Sequence, residues 1–265
     1  MLAFIFGALT ALLASQSARA SLAPALQARA LTAIQGTYNT TFVHVVTSKD
    51  HAQSLVPSQY PLLPVNKTLY PGLSDDQHPI VLELGREANA GPPGLGILSF
   101  QEAKIEVPDV QRVSDSDRPF LHKRWIAVDD GLDVVGSWVQ YGLNTSLETF
   151  APANSSNSSS YSYTVQGAIE AELSALSKEE TPRFGLDTYT TGATLPWFGT
   201  YLLCAQHTYN FTHPVEPFVF TKGTVTLYPP YAGPNATGPI TLEAAGVHVT
   251  ASFDISYALA CSEFF

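Results

Sequence analysis

The feature that most constrains this chain is a succession of strand-length segments rich in β-branched and aromatic residues. Each is closed off by Pro, Gly or Asp. TTFVHVVTS (40–48), HPIVLELGRE (78–87), GILSFQEAKIEV (96–107) and KRWIAVDD (123–130) form a first group. SYTVQGAIEAELSAL (162–176), GTYLLCAQHTYNF (199–211), GTVTLYPP (223–230) and GVHVTASFDISYAL (246–259) form a second. Segments of this composition between turn residues read as β-strands. Many strands spread over one chain must pair over long range, so a mainly β fold is expected, as one antiparallel barrel or sandwich. GAIEAELSAL alone is ambiguous between strand and helix, because a short apolar run fits either period.

Two segments break the β pattern. SLAPALQARALTAIQ (21–35) has helical apolar spacing and predicts a short leading helix. In GLDVVGSWVQYGL (131–143), Leu132, Val135, Val139 and Leu143 recur at three- and four-residue spacing, one face of a helix. The chain there reads strand, Asp-Asp-Gly turn, helix, then YGLNTSL (141–147). APANSSNSSSYS (151–162) is a Ser/Asn-rich surface loop. No internal repeat is visible, and residues 21–265 are expected to form a single domain.

The compartment is read from the first residues. MLAFIFGALTALL is almost wholly apolar and is followed by Ala18-Arg19-Ala20, the pattern of a cleaved secretory signal over residues 1–20. The run is short of the roughly 20 apolar residues a spanning helix needs. Sequons at Asn39, Asn66, Asn144, Asn154, Asn157, Asn210 and Asn235 suit a secreted or vesicular glycoprotein. Cys204 and Cys261 are the only cysteines. In an oxidising lumen such a pair most simply forms one disulfide, the alternative being two buried thiols. The net charge of −10 argues against nucleic acid or an anionic membrane as partner.

Chemistry-bearing motifs are scarce. His44, His207, His213 and His248 are scattered, and neither HxH nor HExxH occurs, so no metal site is expected. There is no G-x-S-x-G elbow, P-loop or dinucleotide fingerprint, and no cofactor is expected. On the strand 96–107, alternation places Phe100, Glu102, Lys104 and Glu106 on one face, with Ser99, Gln101, Ala103 and Ile105 on the other. Glu102 is then either a general acid/base facing a cavity or part of a solvated, ion-paired surface. His122, Lys123 and Arg124 are the densest basic cluster, read as a strand-entry surface, or with Lys123 as a relocated amine or Arg124 as an anion clamp. Alternation from Trp125 groups Lys123 with Trp125 and Ala127, and Arg124 with Ile126 and Val128, which makes Arg124 the better pocket candidate. Trp138 and Tyr141 either pack as core or lid, or wall a pocket with Tyr141 donating a hydrogen bond.

The order of these pieces resembles the acetoacetate decarboxylase-like superfamily. VVTSKDHAQSLVPSQYPLL (45–63) is similar to its early strand, helix and L-x-P turn, and GILSFQEAKIEV to its G-x-Y-x-E strand. RWIAVDDGLDVVGSWVQYGLNTSL (124–147) resembles the diagnostic block in which a strand ending in Asp leads through a helix bearing G-R-E to Y-P-K-K. The resemblance covers about residues 38–260. It implies a cone-shaped, closed antiparallel β-barrel around a small-molecule cavity. In the decarboxylases the first lysine of P-K-K forms a Schiff base, the second depresses its pKa, and a carboxylate of the Y-x-E strand lines the cavity.

Carried over, that carboxylate is Glu102, with Phe100 in the tyrosine place. Thr145 and Ser146 fall on the two lysines, Asn144 on the proline, and Ser137, Trp138 and Val139 on G-R-E. A hydroxyl cannot form an imine, so Schiff-base chemistry is not expected through this segment. The resemblance therefore implies a lyase or isomerase acting on a polyketide-like small molecule by acid/base proton transfer, without a Schiff base. Glu102 would be the acid/base, Arg124 or Tyr141 would steady an enolate-like oxygen, and Phe100, Trp138, Asn144 and Thr145 would line the pocket. The alternative is a catalytically empty barrel that binds a hydrophobic ligand. Family decarboxylases assemble as oligomers, so a homo-oligomer is possible, and no membrane association is expected after signal cleavage.

Overall fold

The computed structural model describes residues 32–153 and 161–265. The expected signal segment 1–20 and the sequons at Asn154 and Asn157 lie outside the described residues. The chain forms strands β1 (Thr32–Ser48), β2 (Gln77–Gly91), β3 (Leu98–Gln111) and β4 (Pro119–Val128). Short strands β5 (Thr145–Leu147), β6 (Phe150–Ala151) and β7 (Tyr163–Val165) follow, then β8 (Ile169–Ala175). The last are β9 (Pro196–Phe198), β10 (Leu203–Tyr209), β11 (Glu216–Leu227), β12 (Ile240–Ser256) and β13 (Leu259–Ala260). Three helices interrupt them: α1 (Lys49–Ser54), α2 (Gly131–Tyr141) and α3 (Leu186–Ala193). The mainly β expectation holds. GAIEAELSAL resolves to strand, because β8 pairs on both sides, with β7 and with β11. The helix expected over 21–35 is corrected where it is described. Residues 32–35 belong to β1, paired with β12 from Thr32 onward, and tertiary pairing overrides the local apolar spacing.

The strands form one sheet in the order β13-β10-β9-β4-β3-β2-β1-β12-β11-β8-β7-β6, with β5 added beside β4. β10 also pairs with β12, through His207 opposite Ile255 and Tyr209 opposite Phe253. The hydrogen-bonded path β12-β1-β2-β3-β4-β9-β10 thus returns to β12. One face of these strands gathers Tyr38, Phe42, Phe100, Ile126, Val247 and Phe253 into an inner apolar cluster. The other face gathers Val43, Leu82, Ala103, Ile105, Trp125 and Ala127, covered by α1 and by β8 and β11. Both faces of β2 and β3 are therefore dry. Any charged residue on either face must find its partners inside the protein.

Register stacks the inner side chains in layers. One layer runs Phe42, Glu83, Lys104, Ile126, Thr145. A second runs Thr40, Gly85, Glu102, Val128, and a third His44, Val81, Glu106, Lys123. Gly85 is required by closeness of approach, since a Cβ there would lie 2.6 Å from the Cα of Thr40.

The strict alternation expected along 123–128 fails at one residue. Trp125 pairs with Ile105, but the next pair is Lys123 with Glu106, leaving Arg124 as an extra residue. Such a β-bulge reverses the facing of everything beyond it. Lys123 is turned to the inner face and is buried, while Arg124 is half-buried off that face. The grouping of Arg124 with Ile126 and Val128 is thereby overturned. At the far end, Cys204 and Cys261 form the expected disulfide, with Cα atoms 4.9 Å apart, tying β10 to the end of the chain.

Candidate active site

The inner layers bring six ionisable side chains together on β2, β3 and β4. Glu83, Glu87, Glu102, Lys104, Glu106 and Lys123 are each at most 5 % exposed. They join in a linear chain. Lys123 donates to Glu106, and Glu106 shares a hydrogen bond with Glu83. Glu83 accepts from Lys104 at 2.8 Å, and Lys104 reaches Glu102 at 2.7 Å. Glu102 in turn shares a hydrogen bond with Glu87, which lies 3.9 Å from Lys104. Four carboxyls against two ammonium groups cannot all be ionised in a dry interior, and two carboxyls in contact hold a proton between them.

The proton positions follow from the surroundings. Burial and the neighbouring Glu102 charge hold Glu87 well above the carboxylate range. Burial and the Glu83 charge push Glu106 up to about 7. Burial would also raise Glu83, but the attraction of Lys104 and Lys123 outweighs it and leaves that group low. Burial opposes the charge on Lys104, yet Glu102 and Glu83 hold it protonated well above the usual lysine range. The result is two acid–carboxylate pairs, Glu87 with Glu102 and Glu106 with Glu83, strung on two lysines.

An aromatic wall faces these charges. His207 stacks on Tyr209 at 5.5 Å, Tyr209 on Phe211 at 5.0 Å, and Trp197 lies 5.6 Å from His207. Lys104 sits 4.8 Å from the Tyr38 ring and Lys123 5.0 Å from the Trp197 ring. Burial and the two lysines hold His207 neutral. Among the buried polar atoms on this interior without a hydrogen-bond partner are the hydroxyls of Tyr38, Thr40, Thr145 and Tyr209, Trp197 Nε1 and His207 Nε2, beside one carboxyl oxygen each of Glu83, Glu102 and Glu106. Buried polar groups are almost always satisfied. A set of orphans converging on one interior marks a place for water or a ligand.

The sequence-selected residues divide. Glu102 and Phe100 are buried on the inner face, so the solvated alternative for Glu102 does not hold. Thr145 is half-buried, level with Ile126, its hydroxyl turned to the interior. Arg124 is outside by the bulge. Trp138 is 59 % exposed and lines nothing, because α2 turns Val134, Ser137 and Tyr141 rather than Leu132, Val135 and Val139 toward the sheet. Tyr141 is buried, but its hydroxyl donates to Ser256 O at 3.1 Å and accepts from Gln140 at 3.0 Å, so it is committed to anchoring α2. Asn144 is exposed, its amide 3.4 Å from Arg124 O, and is not a pocket residue. Asp130 caps α2 through Leu132 N at 2.8 Å, which accounts for the Asp-Asp turn. Among the described residues no group of His, Cys, Asp and Glu has metal-binding geometry, and no helix is long and apolar enough to cross a membrane.

Glu83, Glu87 and the β10 aromatics escaped selection from sequence, while Lys104 and Glu106 were placed on the Glu102 face and Lys123 was weighed without being chosen. One signal was present: charged residues recur at even spacing on two strands that are otherwise apolar. An open groove of about 960 Å³ runs elsewhere along β8 and β11. Its glutamates Glu170 and Glu172 are exposed to solvent, whereas the carboxyls of the buried chain are not, and the buried chain is the stronger site.

No family model and no curated protein sequence matches the chain. Solved structures do. The acetoacetate decarboxylase of Legionella pneumophila subsp. pneumophila superposes with a TM-score of 0.52 at 12% identity, over 92% of this chain and 94% of that one. The enduracididine biosynthesis enzyme MppR, complexed with pyruvate, superposes with a TM-score of 0.50 at 14% identity, over 90% and 91%. MppR was also captured with the condensation product of pyruvate and imidazole 4-carboxaldehyde, with the same score and identity. At such identities the likeness speaks for the arrangement of the backbone, over nearly the whole of each chain: this protein has the acetoacetate decarboxylase-like fold.

Proposed function

We propose that the protein is a lyase or isomerase that moves a proton at carbon next to a carbonyl group, inside a closed barrel and without a Schiff base. The observation that carries this is the buried chain in which Glu102 is paired at once with Lys104 and with the protonated Glu87. The return of the strand pairing from β10 to β12 supports barrel closure. In the proposed step the Glu102 carboxylate takes a proton from the substrate carbon. The electron pair moves onto the carbonyl oxygen, which Lys104 and the Tyr38 and Tyr209 hydroxyls stabilise. Glu87 or Glu102 then returns a proton at a different atom, or a leaving group departs.

The solved neighbours, an acetoacetate decarboxylase and an enzyme complexed with pyruvate, support a small carbonyl compound as the class of substrate. A polyketide-like metabolite fits it. Imine formation is disfavoured because Lys104 is held as ammonium and Lys123 is engaged by Glu106, while the imine position itself is the hydroxyl of Thr145. A passive carrier of hydrophobic ligands is disfavoured by the same charges, which an apolar ligand would leave unsatisfied. We also propose residence in an oxidising, secretory compartment, supported by the Cys204–Cys261 disulfide and by the exposure of Asn66, Asn144, Asn210 and Asn235.

The test is deuterium uptake from solvent into a panel of small ketones, followed by mass spectrometry, with borohydride added in parallel. Catalysed uptake that falls about 100-fold or more in Glu102→Gln is expected, with no borohydride adduct. Uptake unchanged in Glu102→Gln, or a stable adduct on Lys104 or Lys123, rules the mechanism out.

A further inference from the structure

We infer that the interior selects uncharged, oxygen-rich carbonyl compounds and rejects carboxylates. This rests on the interior being the functional site. Both ammonium groups there are already answered from within. Lys104 is held by Glu83 and Glu102, and Lys123 by Glu106. Carboxyls outnumber ammonium groups four to two on these walls, and the bulge keeps Arg124 off the inner face. An entering carboxylate would meet no unpaired cation. It would lose its hydration and face the glutamates besides, and an ion left uncompensated in a dry interior costs several kcal/mol.

Beside the carboxyl oxygens of Glu83, Glu102 and Glu106 that lack a hydrogen-bond partner, which would repel a further carboxylate, stands a set of unpartnered groups of another kind. The hydroxyls of Tyr38, Tyr209, Thr40 and Thr145, the Trp197 indole N–H and the neutral His207 imidazole are all uncharged. Five of them carry an O–H or N–H to donate, and the four hydroxyls also accept. Their complement is a molecule with several carbonyl or hydroxyl oxygens and no net charge. The Tyr209–His207 stack beside them offers a flat apolar surface to the carbon skeleton of such a molecule. A site of hydrogen-bonding groups discriminates strongly against ligands that leave them unpaired.

The test uses two probes of nearly equal shape. In acetoacetate a carboxylate oxygen replaces one terminal methyl of 2,4-pentanedione. Isothermal titration of the full chain with each should give binding of 2,4-pentanedione at least about tenfold tighter than of acetoacetate. Glu83→Gln removes one negative charge beside Lys104 and should narrow the preference for 2,4-pentanedione over acetoacetate several-fold. Equal or tighter binding of acetoacetate by the wild-type protein, or binding of neither probe, overturns the inference. The wild-type comparison stands even where the variant does not fold. The proton-transfer reading fails separately: a preference for the neutral probe together with ketone exchange untouched in Glu102→Gln would leave charge selection standing and remove Glu102 from catalysis.

Discussion

Glu106 shows how one buried side chain ties stability to pH. Its carboxyl is pushed up to about 7 in the folded protein, by burial and by Glu83. In the unfolded chain it titrates near 4.3, so the folded state binds more protons between these values. Its contribution is thus fully present below about pH 4 and is lost as pH rises through about 7, a change on the order of 3 kcal/mol. Thermal unfolding should therefore show a stability decline from pH 5 to pH 7 that flattens in Glu106→Gln. An unchanged slope in that variant would mean that Glu106 does not hold the proton. Glu102 was legible in the sequence by its place on an alternating strand. Its partners were not, because Glu83 and Glu87 lie some twenty residues away on β2 and only the register of β2 with β3 brings them alongside.

At the scale of elements, the bulge in β4 decides which cation enters the site. Removing a buried partner strands its counter-charge, whereas trimming a half-buried side chain disturbs little. Lys123→Ala should cost about 3–5 kcal/mol by denaturant unfolding, and Arg124→Ala within about 1 kcal/mol. Similar costs for the two would refute the facing assigned to them. α2 carries a parallel prediction. Trp138→Ala should change stability by less than about 0.5 kcal/mol, since the indole is exposed. Tyr141→Phe should cost about 1 kcal/mol through the lost bond to Ser256 O. The strands and the helix were readable from periodicity and turn residues. The bulge was not, because an extra residue leaves the pattern of residue types intact. Nor was the direction in which α2 faces, since its apolar residues point outward and the sheet is met by Val134, Ser137 and Tyr141.

Over the whole molecule, long-range strand pairing does what local sequence cannot. β1 meets β12 across the length of the chain, and β10 returns to β12 beside it. The Cys204–Cys261 bond fixes the chain end to β10 over a separation of 57 residues. Losing a cross-link that closes a loop of this size costs about 4 kcal/mol on the chain-entropy account. Reduction should accordingly lower Tm by several degrees and favour loss of the β10 pairing first, visible as early exchange of the His207 and Tyr209 amides. The overall arrangement was legible from the order of motifs, with the 124–147 block carrying most of the signal. The candidate site was only half legible: the hydroxyl residues at 145 and 146 were plain, but the buried chain of charges on β2, β3 and β4 depends on which faces the long-range pairing makes dry.

The most direct test sets the inner residue against the two outer ones that sequence also favoured. Solvent deuterium uptake into a small neutral ketone should be measured with the wild-type protein and with Glu102→Gln, Arg124→Ala and Tyr141→Phe, each checked for folding. Uptake should fall about 100-fold or more in Glu102→Gln alone and stay within a few-fold of wild type in the other two. Full activity in Glu102→Gln, with loss in Arg124→Ala or Tyr141→Phe, would contradict the account and move the chemistry off the buried chain.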